Sequence, residues 1–380
     1  MKKIFCLLTV AMAFCFAGCS TMPAPVQNDK KPEIKVGFFV DNGSRGGGVF
    51  KIARLLYYAP QLDITMLDGK DIRNGALDKL DLLVIPGGSS ATQFKMMQAS
   101  GAAKIREFVK KGGNYVGVCA GFHCTLNRPD RVALLPYVYL NGTSGAQGTL
   151  TININEKGAK ILDVKPGRYS VTYSQGPISK AGKKWEHGSA EVLGIYLNSV
   201  GLPGRKHYDY TGHPAILFGN HGKGKVVATS FHPENNVVNH CIFNGMVYAA
   251  SGKKIKQVFP KKNPRPVRVA FYVGNTQGKA RITRMIELDR HADIDVSILA
   301  GASAVNDAIA DHADVLVTVA PDCKEFRTFV DANKVYFRNF LERGGKIVAS
   351  GSGVKAFEKH PNLIGVPAGK SLVDAVLKCR

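Results

Sequence analysis

Short apolar runs separated by helical patterns dominate the first third of the chain. Val36-Gly37-Phe38-Phe39-Val40, Leu82-Leu83-Val84-Ile85 and Tyr115-Val116-Gly117-Val118 are runs of four or five residues with no polar side chain facing either way, save the Tyr115 hydroxyl. Strands apolar on both faces are covered on both faces, which is the mark of a parallel sheet between helical layers. Helical patterns over Val49 to Tyr58 and Ala102 to Lys111 stand between them. From about Leu134 to Lys180 the pattern changes. Thr149-Leu150-Thr151-Ile152-Asn153-Ile154 alternates as a half-exposed strand does, and Tyr169 to Tyr173 is a second candidate. Ala215 to Phe218 and Val226 to Ser230 flank Gly219-Asn220-His221-Gly222-Lys223-Gly224, a hairpin signal. The pattern predicts an α/β domain over residues 33–254. Its sheet is mostly parallel, with antiparallel strands toward its C-terminal side.

Residues 255–266 are rich in Lys and Pro and read as a basic linker, too charged to bury and too proline-rich for a helix. Residues 267–380 then read as a second, smaller α/β domain that echoes the first. Val269 to Val273 matches Val36 to Val40, Asp314 to Val317 matches Asp81 to Val84, and the stretch from Phe340 to Gly353 matches Phe108 to Gly121. In that alignment Gly351 stands where Cys119 does, and Ala320-Pro321-Asp322 stands near Pro86-Gly87-Gly88. The second domain is therefore a degenerate partial repeat without the chemistry of the first.

The N-terminus changes the picture of where the chain works. Lys2 and Lys3 precede an apolar run, Ile4 to Phe16, too short to span a bilayer comfortably, which ends in Phe16-Ala17-Gly18-Cys19. This predicts a bacterial lipoprotein signal over residues 1–18, a lipidated Cys19 and a flexible tether over residues 19–32. The expected location is the cell envelope, periplasmic or outer-membrane side, with the membrane as a partner through the N-terminal lipid. The net charge is +22, and loss of the two lysines with the signal leaves +20. That charge favours anionic surfaces. The basic residues are scattered and form no nucleic-acid module, so nucleic acid is not an expected partner. Of the eight cysteines, five lie beyond Cys19: Cys119, Cys124, Cys241, Cys323 and Cys379. Five is odd, so at least one thiol lacks a partner in the chain. No spacing suggests a metal site, and no cofactor is expected.

Gly117-Val118-Cys119-Ala120-Gly121 follows a β run and fits a nucleophile elbow, a sharp strand-to-helix turn whose small flanking residues admit crowded neighbours. Ser230-Phe231-His232-Pro233-Glu234 follows the last strand of the domain, and a His two residues before a Glu at a strand end can present both side chains on one side. His232 is the candidate acceptor of the Cys119 proton, and Glu234 the residue that orients the imidazole. Gly87, Gly88 and the N–H of Ala120 are candidates for the oxyanion and pocket positions, because backbone without side chains can aim N–H groups at developing charge. His123 and Cys124 read as packing or pocket wall, Asp41 as a turn former, and His207, His213 and His221 as loop residues.

In this order, Pro-Gly-Gly, Gly-x-Cys-Ala-Gly and His-Pro-Glu resemble the class I glutamine amidotransferases. Residues Gly112 to Gly121 look most like the domain at the N-terminus of biotin–protein ligases, and Tyr173-Ser174-Gln175-Gly176-Pro177 is similar to a segment of that family. The resemblance covers roughly Glu33 to Lys254. It implies a flavodoxin-like core and the triad Cys119, His232 and Glu234. It does not imply biotin ligation or a glutamine-fed synthase, since neither partner domain is present in this sequence. The expected activity is amidohydrolysis of a small-molecule or peptide amide through a Cys119 thioester. The competing expectation is a non-catalytic, ligand-binding envelope protein that keeps the pocket. A weaker third is an isopeptidase or chaperone-like role, which would call on Asp41. Oligomeric state is not readable from the sequence.

Overall fold

The computed structural model describes residues 32–140, 146–182, 189–200, 209–274, 278–300, 312–319, 323–350, 361–367 and 370–380. The signal and tether, the lipidation position Cys19, and His207, Ala320-Pro321-Asp322 and Gly351 lie outside them.

The first unit is built on one nine-stranded sheet. Its elements are β1 (Ile34–Phe39), α1 (Gly47–Tyr57), β2 (Leu62–Leu67), α2 (Gly69–Arg73), β3 (Leu82–Ile85), α3 (Ser90–Lys111), β4 (Asn114–Val118), α4 (Ala120–Thr125), β5 (Tyr137–Leu140), β6 (Gln147–Ile154), α5 (Glu156–Leu162), β7 (Gly167–Ser174), β8 (Ile178–Ala181), β9 (Ala190–Tyr196), β10 (Pro214–His221), β11 (Gly224–Thr229) and α6 (His240–Ser251). The order across the sheet is β2-β1-β3-β4-β11-β10-β9-β6-β7. Pairs from β2 to β11 are parallel, and those from β11 to β7 are antiparallel. All four residues of β3 are buried, as expected for a central strand covered on both faces. The same sheet therefore carries both patterns seen in the sequence, and the change of pattern marks the change of pairing. A small β5–β8 ribbon lies beside it.

One helix and one edge strand differ from expectation. The helix foreseen from Ala102 begins at Ser90, where the Ser89 side chain caps Thr92 N–H, and it is broken at Gln98 (φ 61°, ψ 173°). That break and the polar residues before it obscure the apolar period. Strand β2 was not foreseen, since Asp63 and Thr65 interrupt its apolar run on an edge strand.

The second unit carries a five-stranded parallel sheet. Its strands are β12 (Val267–Tyr272), β13 (Ile294–Leu299), β14 (Val315–Thr318), β15 (Lys346–Ser350) and β16 (Leu363–Val366), in the order β13-β12-β14-β15-β16, with α7 (Lys279–Arg290) between β12 and β13. The order repeats β2-β1-β3-β4, and local details repeat with it. Asp81 accepts the Lys35 N–H at 2.8 Å, and Asp314 accepts the Arg268 N–H at 2.8 Å. Gly113 and Gly345 each donate to the carbonyl of a Phe five residues earlier. A Cβ on Gly345 would also meet the Phe340 ring at 2.5 Å, so a glycine is required there. The repeat seen in the sequence is thus a repeat of architecture.

The two units are packed together. The Phe50 and Phe271 rings are 6.0 Å apart, and one apolar cluster runs through both sheets. Asp289 of α7 is fully buried and accepts from Arg54 Nε at 2.8 Å and Tyr58 Oη at 2.8 Å. The 255–266 segment has no helix, but it is not loose. Ile255 is buried, Val258 N–H donates to Tyr58 O, and Phe259 meets the Tyr58 ring edge-on. Val258 and Phe259 nevertheless stay largely exposed, while Lys262 is half-buried and donates to the Asp289 and His291 carbonyls, so the reading "too charged to bury" fails at Lys262.

Candidate functional site

Cys119 sits where buried β4 meets α4. Its N–H donates to Thr229 O at 2.8 Å, and its φ of 53° with ψ −100° lies where side chains are rarely tolerated. Holding a non-glycine residue there costs of order 1–3 kcal/mol and needs surroundings that over-determine it. The neighbours supply that. A Cβ on Gly117 would stand 2.6 Å from the Gly121 carbonyl, and one on Gly121 would collide with Ile85 O. These two glycines let the turn close. The Cys119 sulphur is left at the carboxyl edge of the parallel strands, with Ser174 O 3.7 Å away.

His232 arrives from the neighbouring strand. Beyond β11 the chain makes a single bridge to β7, with His232 N–H donating to Thr172 O at 2.9 Å, and then turns through the 3₁₀ segment Pro233–Asn235. Pro at the first position of that turn pre-sets φ and needs no donor. The turn, rather than strand alternation as expected from the spacing, brings the two side chains together: His232 Nδ1 and Glu234 Oε1 are 2.8 Å apart, both residues buried. Cys119 lies beside the same imidazole, with the Gly87 backbone packed against both residues. Burial disfavours a charged imidazole, but the Glu234 carboxylate and the Cys119 sulphur outweigh it and hold His232 well above its ordinary range. The structure thus brings Cys119, His232 and Glu234 together in one row, with the His232–Glu234 pair hydrogen-bonded.

Behind the row, Lys51 Nζ donates to Asn235 Oδ1 at 2.9 Å. Burial pulls the Lys51 ammonium down, and Glu234 opposes that. Glu234 Oε2 has no hydrogen-bond partner among the described residues.

In front of Cys119 is an open cleft of about 630 Å³. Gly88 and Ala120 line it, as expected. Gly88 forms a bridge with Ser44 in which Arg45 N–H donates to Gly87 O and Ser89 N–H to Gly43 O. That pairing leaves the Gly88 N–H itself outside the bridge. Ala120 N–H opens a helix and so has no intrahelical acceptor. Gly87 has a different place. It lies under the imidazole, where an added Cβ would stand 2.8 Å from His232 Cε1 and 3.4 Å from Cys119 Cβ. Its missing side chain is room for the histidine.

Other residues resolve plainly. Asp41 accepts from Asn42 N–H and from Gly69 N–H, so it forms a turn and starts α2 rather than entering the cleft. His123 lines the cleft with Nδ1 2.8 Å from Ser90 Oγ, and burial together with Arg131 and Arg128 pushes its pKa down to about 3. Cys124 is buried and its thiol is pushed up to about 12, chiefly by burial. Among the described residues no three metal-binding side chains gather. Sequence reasoning passed over two contributors. Arg45, exposed on the Gly-rich loop, stands at the cleft with no ion pair among the described residues, and Ser174, Gln175 and Pro177 form another wall. Gln175 takes φ 53°, and a Cβ on Gly176 would strike Ser230 O. The Gly-Pro that follows Gln175 was the only local sign of such a tight turn.

Parts of the chain are similar to known proteins. Residues 51–128 match the family described as "Biotin-protein ligase, N terminal". The pyridoxal 5'-phosphate synthase subunit PdxT of Bifidobacterium longum is 25% identical over 158 residues, which is 41% of this chain and 74% of that protein. An uncharacterized protein of Chlamydia muridarum is 33% identical over 63 residues, 16% of this chain and 24% of its own. Among solved structures, PurLQS from Thermotoga maritima covers 57% of this chain and 98% of its own, with 16% identity and a TM-score of 0.41. A glutamine amidotransferase from the same organism covers 57% and 83%, with 16% identity and a TM-score of 0.35. The stretch matched by the family runs from α1 past Cys119 and α4, so this part of the first unit is similar to the biotin–protein ligase N-terminal family.

Proposed function

We propose that the protein is a cysteine-dependent amidohydrolase held on the bacterial cell envelope by lipid at Cys19. The observation that carries the proposal is the buried His232–Glu234 pair against a thiol on a left-handed elbow. In the proposed reaction, Cys119 passes its proton to His232 and attacks the carbonyl of a C–N amide. Charge on the carbonyl oxygen is met by the N–H groups of Gly88 and Ala120. The raised pKa of His232 suits the next step, in which imidazolium protonates the leaving amine and a thioester remains on Cys119. Water, activated by the now neutral His232, releases the acid and restores the thiol. Glu234 holds the ring through Nδ1, so Nε2 is the nitrogen that faces the reacting atoms.

The test is amine release from a panel of small amides and short peptides, followed for the native protein and for Cys119→Ala. Turnover of one class that vanishes in Cys119→Ala supports the reading. Binding of the same compounds without turnover, with the cellular role intact in Cys119→Ala, would instead establish the ligand-binding alternative. Envelope anchoring is tested separately: incorporation of labelled palmitate that is lost in Cys19→Ser supports it, and incorporation retained by that variant refutes it.

A further inference from the structure

The second unit lacks a reactive centre among its described residues, yet it is positioned as part of the first unit's site. The carboxyl ends of both sheets meet at one cleft. On the first sheet, β3 leads to Gly88 and β4 to Cys119. On the second, β12 leads to Gly274 and β13 to Ala300. All four residues line the same space. In open α/β sheets, the carboxyl edge is where ligands are held. Two such edges facing one cleft make a composite site.

The second wall is fixed in place. Its residues lie against the first residue of α1, where a Cβ on Gly47 would stand 3.4 Å from Ala300 Cβ and 3.4 Å from Ile298 Cγ2. Buried Asp289 ties α7 to Arg54 and Tyr58 of α1, and Lys279 pairs with Asp68 and Asp71 at the start of α2. Breaking a buried charge network is costly, so free swinging of this unit is disfavoured. The cleft side chains Arg45, Ser90, His123, Gln147 and Gln175 are all polar, and Arg45 brings positive charge.

We propose that the second α/β unit is a substrate-selecting wall: Gly274 and Ala300 close one side of the Cys119 cleft, so the scissile amide is carried on a narrow, polar, preferably anionic chain lying between the two sheets. This rests on the reading of Cys119 as the nucleophile. It gives the unit a role in choosing substrate without any chemistry of its own. Compact apolar amides gain nothing from such a cleft, and branched ones are obstructed by the Ala300 side.

The experiment uses the full chain and two thiol reagents of different bulk, iodoacetamide and fluorescein maleimide. Labelling of Cys119 and of exposed Cys241 is followed by peptide mass. In Ala300→Trp, the maleimide rate at Cys119 falls about tenfold or more, the iodoacetamide rate changes less than about twofold, and both rates at Cys241 are unchanged. Equal maleimide rates in the variant and the parent overturn the proposal. The ratio of the two reagents decides this even where Cys119 proves no faster than Cys241, a result that would count against the nucleophile reading alone. Should the Trp variant fail to fold, Ala300→Cys serves. A short bis-maleimide then joins position 300 to Cys119, and absence of that cross-linked peptide pair overturns the proposal equally.

Discussion

Replacing Gly87 by Ala adds one carbon at the point where the histidine and the cysteine come together. That carbon would stand 2.8 Å from His232 Cε1, 3.5 Å from His232 Nδ1 and 3.4 Å from Cys119 Cβ. Carbon atoms settle at about 3.5–4.0 Å, so the imidazole must withdraw by roughly 0.7 Å or more. It has little freedom to do so, because Nδ1 is held 2.8 Å from Glu234 Oε1 and the backbone N–H is bonded to Thr172 O. Overpacking of this kind costs about 1–3 kcal/mol of stability. The effect on chemistry is larger, since misplacing a reacting group by about 1 Å costs on the order of a hundredfold. Gly87→Ala is therefore expected to slow iodoacetamide labelling of Cys119 at neutral pH by about ten- to a hundredfold, approaching His232→Ala, with Cys241 as the internal control. Thermal unfolding and circular dichroism establish that the variant is folded. A folded Gly87→Ala whose Cys119 labels at the parent rate would mean that the imidazole does not act on the thiol.

Three further outcomes follow from the same geometry. In Glu234→Gln the carboxylate that opposes burial is gone, so the His232 titration midpoint falls, as read from its ring-proton shifts; an unmoved midpoint would show that Glu234 does not hold the charge. Arg45→Ala lowers the rate of anionic iodoacetate relative to neutral iodoacetamide at Cys119 by about two- to fivefold, a modest factor because Arg45 is exposed, and the difference shrinks with added salt. Asp289→Ala leaves Arg54 without its partner in the interface and destabilises the protein by about 3–5 kcal/mol in urea unfolding, whereas a loss under about 1 kcal/mol would contradict the buried network.

The parallel core and the elbow were readable because each has a local cause. An apolar run on both faces can only be a covered strand, and a glycine on either side of Cys119 has a steric reason visible in the motif itself. The pairing of His232 with Glu234 was anticipated from spacing, but for the wrong local reason: Pro233 turns the chain out of the strand, and the turn makes the contact. Gly87 was read as backbone for an oxyanion, while its neighbour in space is an imidazole that follows it by 145 positions in the chain. Nothing near Gly87 in sequence records that contact. Arg45, Ser174 and the second wall at Gly274 and Ala300 were missed for the same reason, since each reaches the cleft only through sheet topology. The antiparallel side was foreseen in part. β6, β7 and the β10–β11 hairpin alternate visibly, while β9 (Ala190–Tyr196) carries Gly194 and a mixed pattern that hides it.

The central claim, that Cys119 is a thiol activated by His232, is tested most directly by labelling the full chain with iodoacetamide across pH and resolving each cysteine by peptide mass. Cys241 is the natural reference, an exposed cysteine whose thiol is pushed up by partial burial of the sulphur. The expected result is rapid labelling of Cys119 at neutral pH, well ahead of Cys241, and collapse of that advantage in His232→Ala. Equal rates for the two cysteines, or an advantage that survives in His232→Ala, would contradict the account.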